Sequence, residues 1–446
     1  MGITALSVLE QRLAEEIGDW IEVEVTTDIN ADTSIVSTNL NSYDGGSDDY
    51  FNDWWVYVTD YANAGVQRQV SDYAQSSGTL TVRGGVLADD GGNTATIRLH
   101  RYNRDQYIVA FNNTVRDLSN NLFQEFDVSE LVTGNVLPNS HFRDWTVSSY
   151  PDKYALVNAT ATANTAGANV VGGGKSAKVI ASASNGYMYI TSDTCPALRN
   201  LMGQTVSLYC WAVPQIANDA TMVIYTVQAD GTTQTLTSTT ANPAGANHGF
   251  TLLKLENQRL NDNLSEVQIR FKVATNSRYV FFDHARLMGV NQTDYLLPID
   301  FRDGSLDTVS IQTDGLSDQA CDDPSPRSWE ELHGWDIKLD GSTDKYLHLP
   351  FLYPTDRLLR LRGKKSLSTV SAYTDTIEIN NEHIDAFIAY AEYRLFDQMD
   401  IPASSADVSR YEMASAKAYA KYTLLRQKLT IPRRSPTLNI GGVYSR

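Results

Sequence analysis

Between Leu131 and Val290 the chain abandons the helical spacing that it keeps on both sides, and this change limits the fold more than any single motif. Upstream, Leu6, Leu9, Leu13 and Ile17 recur every three or four residues and predict a short amphipathic helix. A second stripe, Ile108, Phe111, Val115, Leu118 and Leu122, follows Asn103, which has Gln106 three residues on in the capping-box position. Downstream, Ile384, Phe387, Ile388, Ala391 and Leu395 form a stripe opened by Asn380 or Asn381. Val408, Tyr411, Ser415, Ala418, Tyr422, Leu425 and Leu429 form another, with the small residues Ala414, Ser415, Ala416 and Ala418 permitting close helix approach. The middle instead carries KSAKVIAS, GYMYIT, TVSLYCWAV, TMVIYTV, EVQIRFKVA and RYVFFDHARL, separated by Gly, Asn, Asp and Thr clusters. Period-two runs at that spacing predict an all-β sandwich of about 150 residues.

The expected fold class is therefore α+β and multidomain, a helical body with a small β-barrel or sandwich element and an inserted all-β sandwich. Residues 1–134 are read as helix, small β domain (IEVEVTT to TIRLHR) and helix. Residues 135–290 are the inserted sandwich, 291–380 a linker with β elements returning to the body, 381–430 two packing helices, and 431–446 an extended basic tail broken by Pro432 and Pro436. Charge follows these divisions. The net −17 resolves into −14 for residues 1–130, +2 for 131–290, −9 for 291–354 and +4 for 355–446. Such a chain is poorly suited to wrapping nucleic acid, because phosphate binding is driven by cations. No apolar run is long enough for a membrane helix, and the acidic amphipathic start does not read as a signal peptide.

Chemistry-bearing patterns are sparse. The seven histidines stand singly, without metal-ligand spacing, and Cys195, Cys210 and Cys321 form no C-x-x-C pair. Gly172-Gly173-Gly174-Lys175-Ser176 lacks the earlier glycine of a phosphate loop, since Asn169 occupies that place, and reads as a turn. The acidic clusters at 44–53 and 318–323 do not follow the calcium-loop spacing. No nucleophile, base or carboxylate pair can be named, so catalysis is not expected.

Two stretches resemble known families. Residues 135–290 open GNVLPNSHFRDW and close RYVFFDHARLMGV, and so resemble the carbohydrate-binding jelly-roll modules at Asn139, Phe142, Trp145 and Asp283. That resemblance implies a jelly roll, a sugar site built on aromatics (candidates Trp145, Tyr150, Tyr154, Tyr187, Tyr189 and Trp211) and a structural calcium on Asp283, with no other cofactor. Trp145 and Trp211 also suit core positions. The flanks, DDYFNDWWVYVTDYANAGVQRQVSDYAQSSGTLTV and YLHLPFLYPTDRLLRLRGKKSLSTVSAYTDTIEINNEHIDAFIAYAEYRLFDQ with their helices, look like the head-to-tail connector proteins of tailed bacteriophages.

The connector resemblance implies a structural protein of the virion neck, made in the host cytoplasm. It would form a homo-oligomeric, dodecameric ring joining the portal protein to a tail or nozzle protein, with packaged DNA passing through unbound. The sandwich would project as a collar that holds host-surface glycans, contacts a fibre or shields the neck. The tail, through Arg433, Arg434, Leu438 and Ile440, would add to an exposed sheet edge of the portal. The alternative is a tail fibre, baseplate or receptor-binding protein that uses the sandwich for glycan attachment. A polysaccharide-active enzyme with a binding module is the third reading.

Overall fold

The alternation in the middle of the chain folds as two five-stranded antiparallel sheets packed face to face. In this computed structural model, residues 3–172, 174–238, 249–301, 304–313, 328–340, 344–372, 374–400 and 405–429 are described. One sheet runs Ala159–Asn164, Ser176–Ala181, Tyr279–Met288, Thr205–Pro214, Thr251–Arg259 in spatial order. The other runs Thr233–Thr237, Ala220–Gln228, Leu264–Val273, Gly186–Thr191, Ala155–Val157. Every second residue points inward, so Met188, Ile190, Met222, Ile224, Ile269, Phe271, Leu208, Cys210, Phe282 and Leu287 form one buried core. Phe271 stands edge-on to Phe142 at 5.5 Å and tilted to Phe282 at 5.6 Å, tying the two sheets together. Gly186 opens the strand Gly186–Thr191 where only hydrogen fits, because a Cβ there would lie 2.2 Å from the Asn158 carbonyl oxygen.

The chain divides into two compact units, Glu125–Lys365 and Met1–Gln124 together with Ser366–Arg446. The first holds the sandwich and more. Asp294–Leu296, Lys345–His348 and Asp336–Leu339 make a three-stranded sheet, and Gly304–Gln312 pairs with both Trp329–Leu332 and Leu358–Ser366. Their apolar sides share a second core around Val128, Phe301, Val309, Leu347 and Leu361.

The second unit contains a six-stranded antiparallel sheet, ordered Ile21–Glu24, Thr96–His100, Trp55–Val58, Gln67–Ala74, Thr79–Val82, Ser34–Val36. Among its described residues are also four α-helices, α1 (Leu6–Ile17), α2 (Arg104–Asp117), α3 (Asn381–Asp400) and α4 (Ser405–Leu425). α2 begins with the capping box read from sequence. The Asn103 side chain accepts from the Asp105 N–H at 2.8 Å, and Gln106 accepts from the Asn103 N–H at 3.0 Å. α1 and α2 are pinned by a buried, bidentate ion pair from Arg104 to Glu10, at 2.6 and 2.8 Å. Phe111 stacks on Phe387 of α3 at 5.9 Å within the helical core.

The expected helical body with a minor β element is overturned. Strand accounts for 39% of the described residues and helix for 22%, with the strands spread over several sheets. The four helical stripes are the loudest periodic signals, whereas strands of three to five residues, such as Ser34–Val36 and Trp329–Leu332, carry too few alternations to stand out. Taken together, the long and short strands of the described residues outweigh the helices.

Candidate functional site

Three strands of the second sandwich sheet place tyrosines and cations on its outward face. Met188 and Ile190 turn into the core, so Tyr187 and Tyr189 turn out. The same alternation turns Gln268, Arg270 and Lys272 outward from Leu264–Val273, and Tyr225 outward from Ala220–Gln228. Pairing then brings distant residues side by side, with Tyr187 opposite Lys272, Tyr189 opposite Arg270 and Tyr225 opposite Gln268. The Arg270 guanidinium carbon lies 3.9 Å from the Tyr225 ring centre and 5.0 Å from that of Tyr187, a cation–π arrangement on both sides. Its Nε donates to Gln268 Oε1 at 2.8 Å, and Gln268 Nε2 donates to Glu266 Oε1 at 2.5 Å. Tyr187 and Tyr189 meet edge to face at 5.6 Å. The face thus offers flat rings, a fixed guanidinium and an amide, all partly exposed.

The other aromatics expected to hold sugar scatter. Tyr154 is 3% exposed, donates from its hydroxyl to the Pro138 carbonyl and packs on Phe142 and Phe271, so it belongs to the core. Trp145 is partly buried against that core, its Nε1 donating to the Phe142 carbonyl at 2.6 Å. Tyr150 is 40% exposed on the loop before Ala155–Val157. Trp211 turns outward from the opposite sheet, paired with Leu252 and Asp283. Arg433, Arg434, Leu438 and Ile440 lie outside the described residues.

Asp283 is fully buried beside a polar cleft of about 470 Å³ whose walls include Glu130, His141, Arg143, Gly172 and His284. Its Oδ2 accepts from the Val171 and Gly172 N–H groups at 2.7 and 3.3 Å, and its Oδ1 from the His284 N–H at 2.7 Å. The His141 Nδ1 stands 3.6 Å away, and the His141 and His284 rings stack with centres 4.3 Å apart. A calcium ion requires an oxygen cage, and these N–H donors and an imidazole do not fit one. Among the described residues no group of three or more His, Cys, Asp or Glu is arranged to hold a metal. The glycine run at Gly172 likewise turns its N–H toward a carboxylate of the chain itself.

Two ionisable groups in this region are shifted by their surroundings. Burial opposes charge on His141, but the nearby Asp283 carboxylate outweighs it and raises its pKa above the ordinary histidine value. Burial, reinforced by the nearby Glu130 charge, pushes Asp144 up to about 7. Arg143 spans Glu130 at 2.8 Å and Asp300. Asn139, Phe142 and His284 all adopt left-handed backbone, with φ of 46°, 49° and 49°, a costly conformation for residues that carry side chains, and of the three His284 lines the cleft.

No family model matches the chain, and no curated protein matches it. Solved structures similar to it include the enzymatically active domain of bacteriophage CBA120 tailspike protein 4, at 12% identity and a TM-score of 0.27. That match covers 35% of this chain and 22% of the tailspike domain. The CBM22-1 xylan-binding domain from Paenibacillus barcinonensis Xyn10C matches at 11% identity and 0.27, over 37% of this chain and 96% of that one. TmCBM61 in complex with β-1,4-galactotriose matches at 10% and 0.26, over 35% and 99%. Similarity to carbohydrate-binding sandwiches and a tailspike domain is thus present, at scores too low to carry a function across.

Proposed function

We propose that the chain is a glycan-recognising protein of the receptor-binding or tail-fibre kind, and that the outer face of the second sandwich sheet is where it holds sugar. The observation that supports this is the set of three tyrosines, Tyr187, Tyr189 and Tyr225, arrayed on one open β-surface around Arg270. A pyranose ring has an apolar C–H face that packs on an aromatic ring and a rim of hydroxyls that seek donors and acceptors. Tyrosines meet the first need, and Arg270, Gln268 and Lys272 the second. A rigid sheet fixes the spacing between them, which limits the entropy lost on binding.

The test is a glycan-array and calorimetric comparison of the wild type with Tyr187→Ala and Tyr225→Ala. Each substitution is expected to weaken sugar binding by roughly tenfold, on the scale of other single-ring stacking losses. Unchanged binding in both would sink the reading.

The neck-connector reading keeps one supporting observation. α4 exposes Met413 (68%), Tyr419 (49%) and Leu424 (79%), an apolar set suited to a neighbouring copy in a ring. Native mass spectrometry decides it, since a ring gives one high-order species and Leu424→Glu dissolves it. A monomer at micromolar concentration removes this reading.

A further inference from the structure

The geometry points to an anionic glycan, bearing the carboxylates of uronic or sialic acids, as the ligand of the tyrosine face; the inference rests on the glycan-binding reading above and names its substrate class. The chain as a whole carries −17, yet this face presents Arg270 and Lys272 two residues apart on one strand, both pointing out of the sheet. Among the described residues neither is in an ion pair. The acid on the same row, Glu266, receives the Gln268 amide instead.

Arg270 is also oriented. Its Nε is committed to Gln268 Oε1 and its guanidinium carbon lies near the rings of both Tyr225 and Tyr187, which leaves the two terminal nitrogens as a fork with no hydrogen bond to another described residue. A fork of that kind matches the two oxygens of a carboxylate, and Lys272, opposite Tyr187 across the strand pair, adds a point charge beside it. A neutral sugar would use the rings and leave both cations unanswered. An acidic sugar stacked on Tyr187 or Tyr189 would satisfy rings and cations together. In an acidic protein, keeping two cations beside stacking rings with no acid among the described residues to answer them is the arrangement expected where the partner brings the negative charge.

The experiment uses the full chain in calorimetric titrations with oligogalacturonate, oligomannuronate and oligosialic acid, each beside its methyl ester, which keeps the sugar and removes the charge. At least one acid is expected to bind more than roughly tenfold tighter than its ester, with affinity falling as salt rises from about 50 to about 300 mM. Arg270→Gln and Lys272→Gln should each cost roughly tenfold on the acid and less than about twofold on the ester. Tyr187→Ala should weaken both. Circular dichroism melts check folding, and Arg270→Lys, which keeps charge without the fork, replaces Arg270→Gln if that variant is unfolded. Esters binding as tightly as acids, or acid affinity unchanged in both cation variants, overturns the inference and leaves the glycan reading standing. Binding to neither acid nor neutral sugars overturns both.

Discussion

The two outer faces of the sandwich are built by the same alternation and end in opposite states. On the first sheet two polar outward groups are answered by carboxylates of the chain itself. The Tyr209 hydroxyl donates to Glu256 at 3.1 Å, and Arg286 pairs with Asp356 at 2.6 Å. Phe281, Val213 and Asp283 on that side are nearly inaccessible. On the second sheet Arg270 and Lys272 meet no acid among the described residues, and the tyrosines around them stay partly open. Hydrophobic periodicity therefore says which way a side chain points, but not whether the chain returns to cover it. The covered face stabilises the unit, and the uncovered one is the face we assign to a ligand.

The core shared by both faces gives the largest expected effect. Phe271→Ala removes the ring joining the sheets and should cost about 3–5 kcal/mol in denaturant unfolding, by the usual cost of a large cavity. A loss under about 1 kcal/mol would mean that the sheets are not packed as described.

Next comes a pH dependence seated on the covered side. Asp144 has a folded pKa of about 7 against an ordinary 3.8, so the folded state binds more protons between those values. Stability should fall as pH rises from about 4 to about 7, and the loss should be complete above that. His141, raised above the ordinary histidine value, acts in the same direction, its contribution being present at low pH and lost as pH climbs through its folded pKa. Asp144→Asn should flatten the profile in urea melts run at about pH 4, 5.5 and 7. A wild-type profile that rises across that window contradicts the assignment.

Smaller again is Asp356→Asn, which leaves the Arg286 guanidinium, 4% exposed, without its carboxylate. The expected cost is about 1–3 kcal/mol, lowered by the 40% exposure of Asp356. The matching change on the open face, Arg270→Gln, should move stability by no more than about 0.5 kcal/mol. Equal costs on the two faces would erase the contrast drawn between them.

Local signals and non-local ones part company in the sequence. The capping box at Asn103 and the stripes of α1 and α2 depend on residues within a few positions of each other, and they are readable. So is the outward aim of Tyr187 and Tyr189, because GYMYIT alternates cleanly. Arg270 escapes such a reading because its place beside Tyr189 comes from pairing between strands far apart in the chain. Tyr150 and Tyr154 sit one helical turn's worth of residues apart in similar surroundings, yet one is 40% exposed and the other 3%, a difference made by the sandwich core and not by the local sequence. The helical body fails as an expectation for the same reason, since three-residue strands acquire meaning only from their partners.

Gly186 shows how affinity can be tuned from a position with no side chain at all. The chain there passes so close to the Asn158 carbonyl that any added carbon must drive the two segments apart. Asn158 directly follows the edge strand Ala155–Val157, which is paired to Tyr187 and Tyr189. A bulkier residue at 186 would act as a wedge under that edge and reset the distance between the rings and their neighbours. The backbone at Gly186 is thus the gauge of the tyrosine face, and its tolerance is a single hydrogen atom.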